Sequence, residues 1–187
     1  MRNFLQVGNT DMGPLRLALK TRPYLWNQYE YRTSFDGTPF AGMDDILLRY
    51  SAPEKHESTL DPLALVNDTD LQFYPAWTQL TEAHGLVFDL MRRHKGVHLG
   101  RVIIARLSPG GTIKAHADNY GDYAQRKGGM RFHVCVYALP GVLFHCGGET
   151  IMAKTDEVWW FNHREVHAAE NNSADERIHM MVDIETG

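Results

Sequence analysis

From His98 to the C-terminus the chain is written in short strand-like segments, and this constrains its fold more than any other feature. Val102-Ile103-Ile104 is a continuous apolar run ended by Pro109. Arg131 to Tyr137 alternates with a period of two. Leu143-Phe144-His145, Glu149 to Met152, Glu157 to Phe161 and Arg177 to Ile184 follow, divided by turns rich in Gly, Asn, Asp or Lys. Short strands at this spacing predict an all-β sandwich or barrel, because each must bury one face against a second sheet.

Residues 1–95 read as supporting structure, with helices packed outside a β core over 98–185. Leu15, Leu17, Ala18 and Leu19, then Leu25 and Trp26, predict one or two helical turns interrupted at Pro23. Met43 to Tyr50 predicts a strand with an apolar centre, and residues 51–70, with Pro53 and Pro62, a surface loop. Leu80, Ala83, Val87, Leu90 and Met91 recur at helical spacing up to His94, with Thr78 or Thr81 as the candidate cap. Repeats, low-complexity tracts and linkers are absent from the 187 residues, so a single domain over 1–187 is expected.

Composition narrows the function classes. With 43% hydrophobic and 22% charged residues the chain is an ordinary globular sequence. A net charge of -4 gives no electrostatic case for nucleic acid or an anionic membrane. The N-terminus offers only Phe4-Leu5 as an apolar run, so no signal peptide is indicated, and no stretch is apolar enough for a transmembrane helix. Cys135 and Cys146 lack Cys-x-x-Cys spacing. Two buried free thiols are expected, the alternative being a pair facing across a hairpin. A cytoplasmic location fits them.

The chemistry concentrates in a few positions. Leu107 to Asp118, LSPGGTIKAHAD, ends in His116-x-Asp118 after a Pro-Gly-Gly turn. On an extended strand these two side chains share a face and supply two ligands of a 2-His-1-carboxylate metal site. Without a third ligand His-x-Asp is a weak signal and reads as a partly exposed strand end carrying two polar residues. His167, far along the chain, has the neighbours of a third ligand from a late strand. On the last strand Ile178, Met180 and Val182 share one face, and Arg177 and His179 the other. A cavity-facing arginine needs a partner, either the carboxylate of a bound small molecule or a local acid such as Asp175 or Glu176. Phe132, Val134 and Val136 likewise leave Arg131 and His133 on the opposite side. His133 is then either a cavity group or a core histidine bonded to backbone.

These motifs, LSPGGTIKAHAD, RFHVCV, FNHREVHAAEN and Arg177, resemble the aspartyl/asparaginyl β-hydroxylase family of Fe(II)- and 2-oxoglutarate-dependent oxygenases. The likeness spans roughly residues 98–185, with a fainter one around Asp44 to Arg49. It implies a double-stranded β-helix (jelly roll, cupin-like) with iron held by His116, Asp118 and His167. It places Asn171 and Arg177 at the family's distances beyond the distal histidine. It also implies that Arg177 pairs with the far carboxylate of 2-oxoglutarate, and that Arg131 and His133 contact the cosubstrate near the metal. The implied reaction consumes O2 and 2-oxoglutarate, releases succinate and CO2, and hydroxylates an unactivated C–H. The substrate would be an Asp or Asn side chain or another amino-acid-like group, on a small molecule, peptide or protein. Two departures stand out. The loop Asn119 to Gly129 is longer than in vertebrate members, and Ala105 replaces a serine that in some members helps hold 2-oxoglutarate. Asp118 is present where some members lack the acid.

Three other readings compete. His163 and His167 with Glu165 between them suggest a zinc hydrolase, but the Glu is one place too late for His-Glu-x-x-His. A non-catalytic β-barrel binding a small carboxylate or a partner would need no redox-active triad. A cupin-type metalloenzyme that does not use 2-oxoglutarate would have no use for Arg177. The loop 119–129, with paired glycines and Arg126 and Lys127, reads either as a substrate lid or as a solvated surface loop.

Overall fold

In the computed structural model, residues 2–58, 70–118 and 129–187 are described. The first half supplies β1 (Phe4–Asn9), α1 (Gly13–Thr21), β2 (Met43–Ser51), α2 (Pro53–Ser58), β3 (Leu71–Phe73), α3 (Pro75–Gln79) and α4 (His84–Arg93). The second half supplies β4 (Gly96–Leu107), β5 (Thr112–His116), β6 (Gly129–Tyr137), β7 (Val142–Cys146) and β8 (Glu149–Ile151). It ends with β9 (Glu157–Phe161), β10 (His167–Asn171) and β11 (Arg177–Thr186). One sheet runs β1-β9-β6-β11-β4-β2-β3, and the facing one β5-β10-β7-β8. The strands β4 to β11 thus divide four to each sheet while the chain winds between them. This is a double-stranded β-helix, mainly β, with helices of the first half packed outside.

Alternation along the central strands builds both faces. Val102, Ile104, Phe132, Val134, Met180 and Val182 form one buried core with Leu15, Leu19, Val87 and Leu90 of α1 and α4. The opposite face, turned to the second sheet, carries Ala105, Leu107 and Phe161 against Ile113, Phe144 and Ala169. α1 begins on Gly13-Pro14, where proline's missing N–H costs nothing, and ends ahead of Pro23. Its buried Leu15, Ala18 and Leu19 recur at three and four residues, the spacing of one helical face.

The first half departs from expectation in several places. β1 and β3 extend the larger sheet at its two edges; neither is long or alternating enough to stand out in sequence. Residues 53–58 form α2 where a loop is expected, and 59–69 lie outside the described residues. Neither threonine caps α4. Its first turn follows directly from the 3-10 turn Thr81–Ala83, which already satisfies the Ala83 N–H through Leu80 O, 3.0 Å away. Thr78 instead donates back to Pro75 O. The cysteines are free and buried, and a hairpin pair is ruled out because β6 and β7 lie in different sheets.

Candidate metal centre

β5 and β10 are antiparallel neighbours, and His116 and His167 are Cα partners across them. Their imidazole centroids are 4.3 Å apart. Asp118 lies two residues past the end of β5 rather than on it. It still reaches the same side, because its N–H donates to His163 O at 3.1 Å and Arg131 grips its carboxylate. One ligand atom from each of His116, Asp118 and His167 lies within 4.8 Å of the others. His163 is not part of this group. It sits in the turn before β10, so the alternative hydrolase arrangement has no helix to carry it.

The hydrogen bonds fix which nitrogens face the site. His116 Nδ1 lies 2.7 Å from Lys114 O, and His167 Nδ1 lies 2.9 Å from Glu165 O. A carbonyl only accepts, so both protons sit on Nδ1 and both Nε2 lone pairs are left for a ligand. The two Nε2 atoms face Asp118 at 3.9 and 3.6 Å. Burial pushes His116 below its ordinary range and brings His167 down to about 4. Both imidazoles are therefore neutral at physiological pH, the form a metal needs. Backbone carbonyls behind the histidines and a cation behind the acid are the outer contacts a metal set requires. Two neutral imidazoles and one carboxylate, converging from one side, fit a divalent ion such as Fe(II).

Arg131 and His133 stand on the cavity face of β6, as the alternation predicts. Arg131 is held by two contacts to Asp183 of β11, at 2.6 and 2.7 Å, as well as by Asp118. Deeper in, Arg177 is buried. One guanidinium arm donates to His179 Nδ1 at 3.0 Å, the other to His133 Nε2 at 3.3 Å. The two imidazoles stack at 4.7 Å and 5°. Burial, and then the Arg177 charge, push both well below their ordinary range, so both accept as neutral rings. Burial also brings Arg177 down to about 10, which leaves it a cation at neutral pH. Neither local acid takes it: Asp175 accepts from Tyr137, and Glu176 faces Arg106. Among the described residues no carboxylate pairs with Arg177.

A cavity of about 100 Å³ runs between the sheets from the metal ligands to Arg177. Its outer wall comes from the first half, through Tyr31, Arg32, Phe35 and Phe40. Residues 27–42 show no helical or strand periodicity, so sequence reading assigns them nothing. Phe40 meets His116 edge-on at 5.0 Å. Asn171, buried, donates to Leu107 O at 2.9 Å and Asp175 O at 2.8 Å. It therefore ties strand ends together and touches nothing in the cavity. Of the loop 119–129, residues 119–128, with Arg126 and Lys127, lie outside the described residues.

Residues 67–186 match the family described as aspartyl/asparaginyl beta-hydroxylase. The chain belongs to that family. Within the 2-oxoglutarate/Fe(II) oxygenase superfamily, this hydroxylase-family chain shares its fold with structures of low sequence identity. The carbocyclase SnoK of nogalamycin biosynthesis superposes with a TM-score of 0.65 at 12% identity, over 99% of this chain and 80% of its own. The epimerase SnoN of the same biosynthesis gives 0.54 at 13% identity, over 98% and 78%. The collagen prolyl hydroxylase of Paramecium Bursaria Chlorella virus-1 gives 0.54 at 12% identity, over 100% and 97%. No curated protein matches the chain.

Proposed function

We propose that this family member is an Fe(II)- and 2-oxoglutarate-dependent dioxygenase that hydroxylates an unactivated C–H. The substrate is an Asp or Asn side chain or another amino-acid-like group, and the by-products are succinate and CO2. The observation that carries this reading is Arg177, a buried cation backed by two neutral histidines and no acid. An unpaired buried guanidinium is costly, and the terminal carboxylate of a dicarboxylate entering the cavity is the partner that removes the cost. A metal site that bound only protein ligands would give no reason for it.

Iron bound with 2-oxoglutarate and O2 supplies the oxidising chemistry. The chain does the rest. His116, Asp118 and His167 hold the ion from one side and leave the other side open. Arg177 fixes the far end of the cosubstrate, with His133 and His179 holding its two arms in place. His179 is the cross-strand partner of Ala105, the position where some relatives have a serine. Arg131, tied to Asp183, pairs with the Asp118 carboxylate and aims it at the metal. Phe144 and Phe161, against His133 and His167 respectively, keep water from the inner surface. The related folds include a carbocyclase, an epimerase and a hydroxylase, so hydroxylation rests on the family and not on the fold.

The test is anaerobic mixing with Fe(II) and 2-oxoglutarate, which should give a visible metal-to-ligand charge-transfer band. His116→Ala or His167→Ala should abolish it. Arg177→Ala should raise the 2-oxoglutarate requirement about 30- to 1,000-fold while Fe(II) still binds. An unchanged requirement in that variant overturns the reading.

A further inference from the structure

Four arginines line the cavity, Arg32, Arg101, Arg131 and Arg177, against a single acid, Asp118, among the described residues. Asp118 belongs to the metal set, Arg131 is held by two carboxylates, and Arg177 has its place in the function proposed above. Arg32 is different. It comes from the first half, outside the residues that match the family, and it is held at one point only. One Nη donates to Asp45 Oδ2 at 3.1 Å, and the opposite oxygen of Asp45 has no hydrogen-bond partner. A structural ion pair would be expected to use the two-pronged geometry that suits guanidinium and carboxylate. The other donors of Arg32 make no hydrogen bond among the described residues, and the side chain lines the cavity.

Arg32 is placed against the metal ligands by its neighbours. Its guanidinium lies 4.2 Å over the Phe40 ring, and Phe40 in turn meets His116. Arg32 lines the same cavity as His116 and His179. The backbone beneath it is held too. Thr38 Oγ1 donates to Arg32 O at 2.6 Å, the Lys114 N–H donates to Pro39 O at 3.1 Å, and Asn27 and Asp45 exchange bonds at 2.9 and 3.0 Å. A cation placed this way binds an anion without first being ordered.

We propose that Arg32 anchors a carboxylate of the substrate, which is then an organic acid. The inference rests on the oxygenase reading for what happens to that acid afterwards. Tyr31, Phe35 and Tyr50 line the cavity around Arg32 and give the body of such an acid an aromatic surface.

The experiment uses matched probe sets: phenylacetate with phenylacetamide, and hexanoate with hexanamide. Each is titrated calorimetrically into the protein holding Mn(II) and N-oxalylglycine, a mimic of 2-oxoglutarate that occupies the Arg177 end. The carboxylates should bind more tightly than their amides. Arg32→Gln should cut that preference about 10- to 100-fold. Arg32→Lys, which keeps a cation opposite Asp45, should lose part of it, and Asp45→Asn should keep it. These two variants decide the matter if Arg32→Gln fails to fold. No preference in the wild type, or an unaltered preference in the arginine variants, overturns the proposal. Failure of N-oxalylglycine to bind would instead count against the oxygenase reading, and the same sets titrated into the protein alone then decide Arg32.

Discussion

Asp118 is the residue on which the metal site's charge depends. With it, the site offers a divalent ion two neutral imidazoles and one negative charge. Asp118→Gly removes that charge and opens a coordination position, while Arg131 stays paired with Asp183, so the fold should persist. Fe(II) should bind more weakly without being lost, and substrate-dependent succinate formation across an iron titration should fall further than affinity. Wild-type affinity and turnover together would show that Asp118 is no ligand. The acid also marks where residue-level reading succeeds for an incomplete reason. The period of two puts His116 and Asp118 on one face, yet β5 stops at His116, and a backbone bond and Arg131 deliver the carboxylate. Such deliveries come from distant strands, and no local pattern encodes them.

At the scale of elements, the Pro-Gly-Gly turn and Asn171 work as one joint. Gly110 has φ +75, and a Cβ on Gly111 would lie 2.7 Å from Leu107 Cδ1, so both positions call for glycine. The Gly110 N–H donates to Asn171 O at 2.8 Å, and the Asn171 N–H to Gly111 O at 3.0 Å. The Asn171 side chain then spans from β4 to the turn before β11. Asn171→Ala would take a donor from the buried Leu107 O, a loss of about 1–3 kcal/mol, and should lower the melting temperature and weaken metal binding together. Melting equal to wild type would count against this joint. The strand segments of the second half are legible because most alternate cleanly and the turns are marked by glycine. β1, β3 and the wall over 27–42 are not, since edge strands and tertiary loops are fixed by what they pack against.

For the molecule as a whole, burying neutral histidines between the sheets ties stability to pH. His133 and His179 have folded-state pKa values well below the ordinary 6.5. Unfolded, they take up protons as pH falls through about 6.5, whereas folded they do not, so the unfolded state binds more protons there. The contribution is complete above that pH and is lost progressively below it. The melting temperature of metal-free protein should therefore hold near neutrality and drop between about pH 6.5 and pH 5; a flat profile would mean that these rings protonate without unfolding. The placement of His116 opposite His167 has a different consequence. Because side chains alternate, a slip of one residue between β5 and β10 would turn one imidazole to the far side of the sheet. An ion that needs both rings can be held only by the native alignment of these two strands, which are distant in sequence. Coordination would then proofread the closure of the β-helix, adding its binding energy to one register and to none of the misaligned ones.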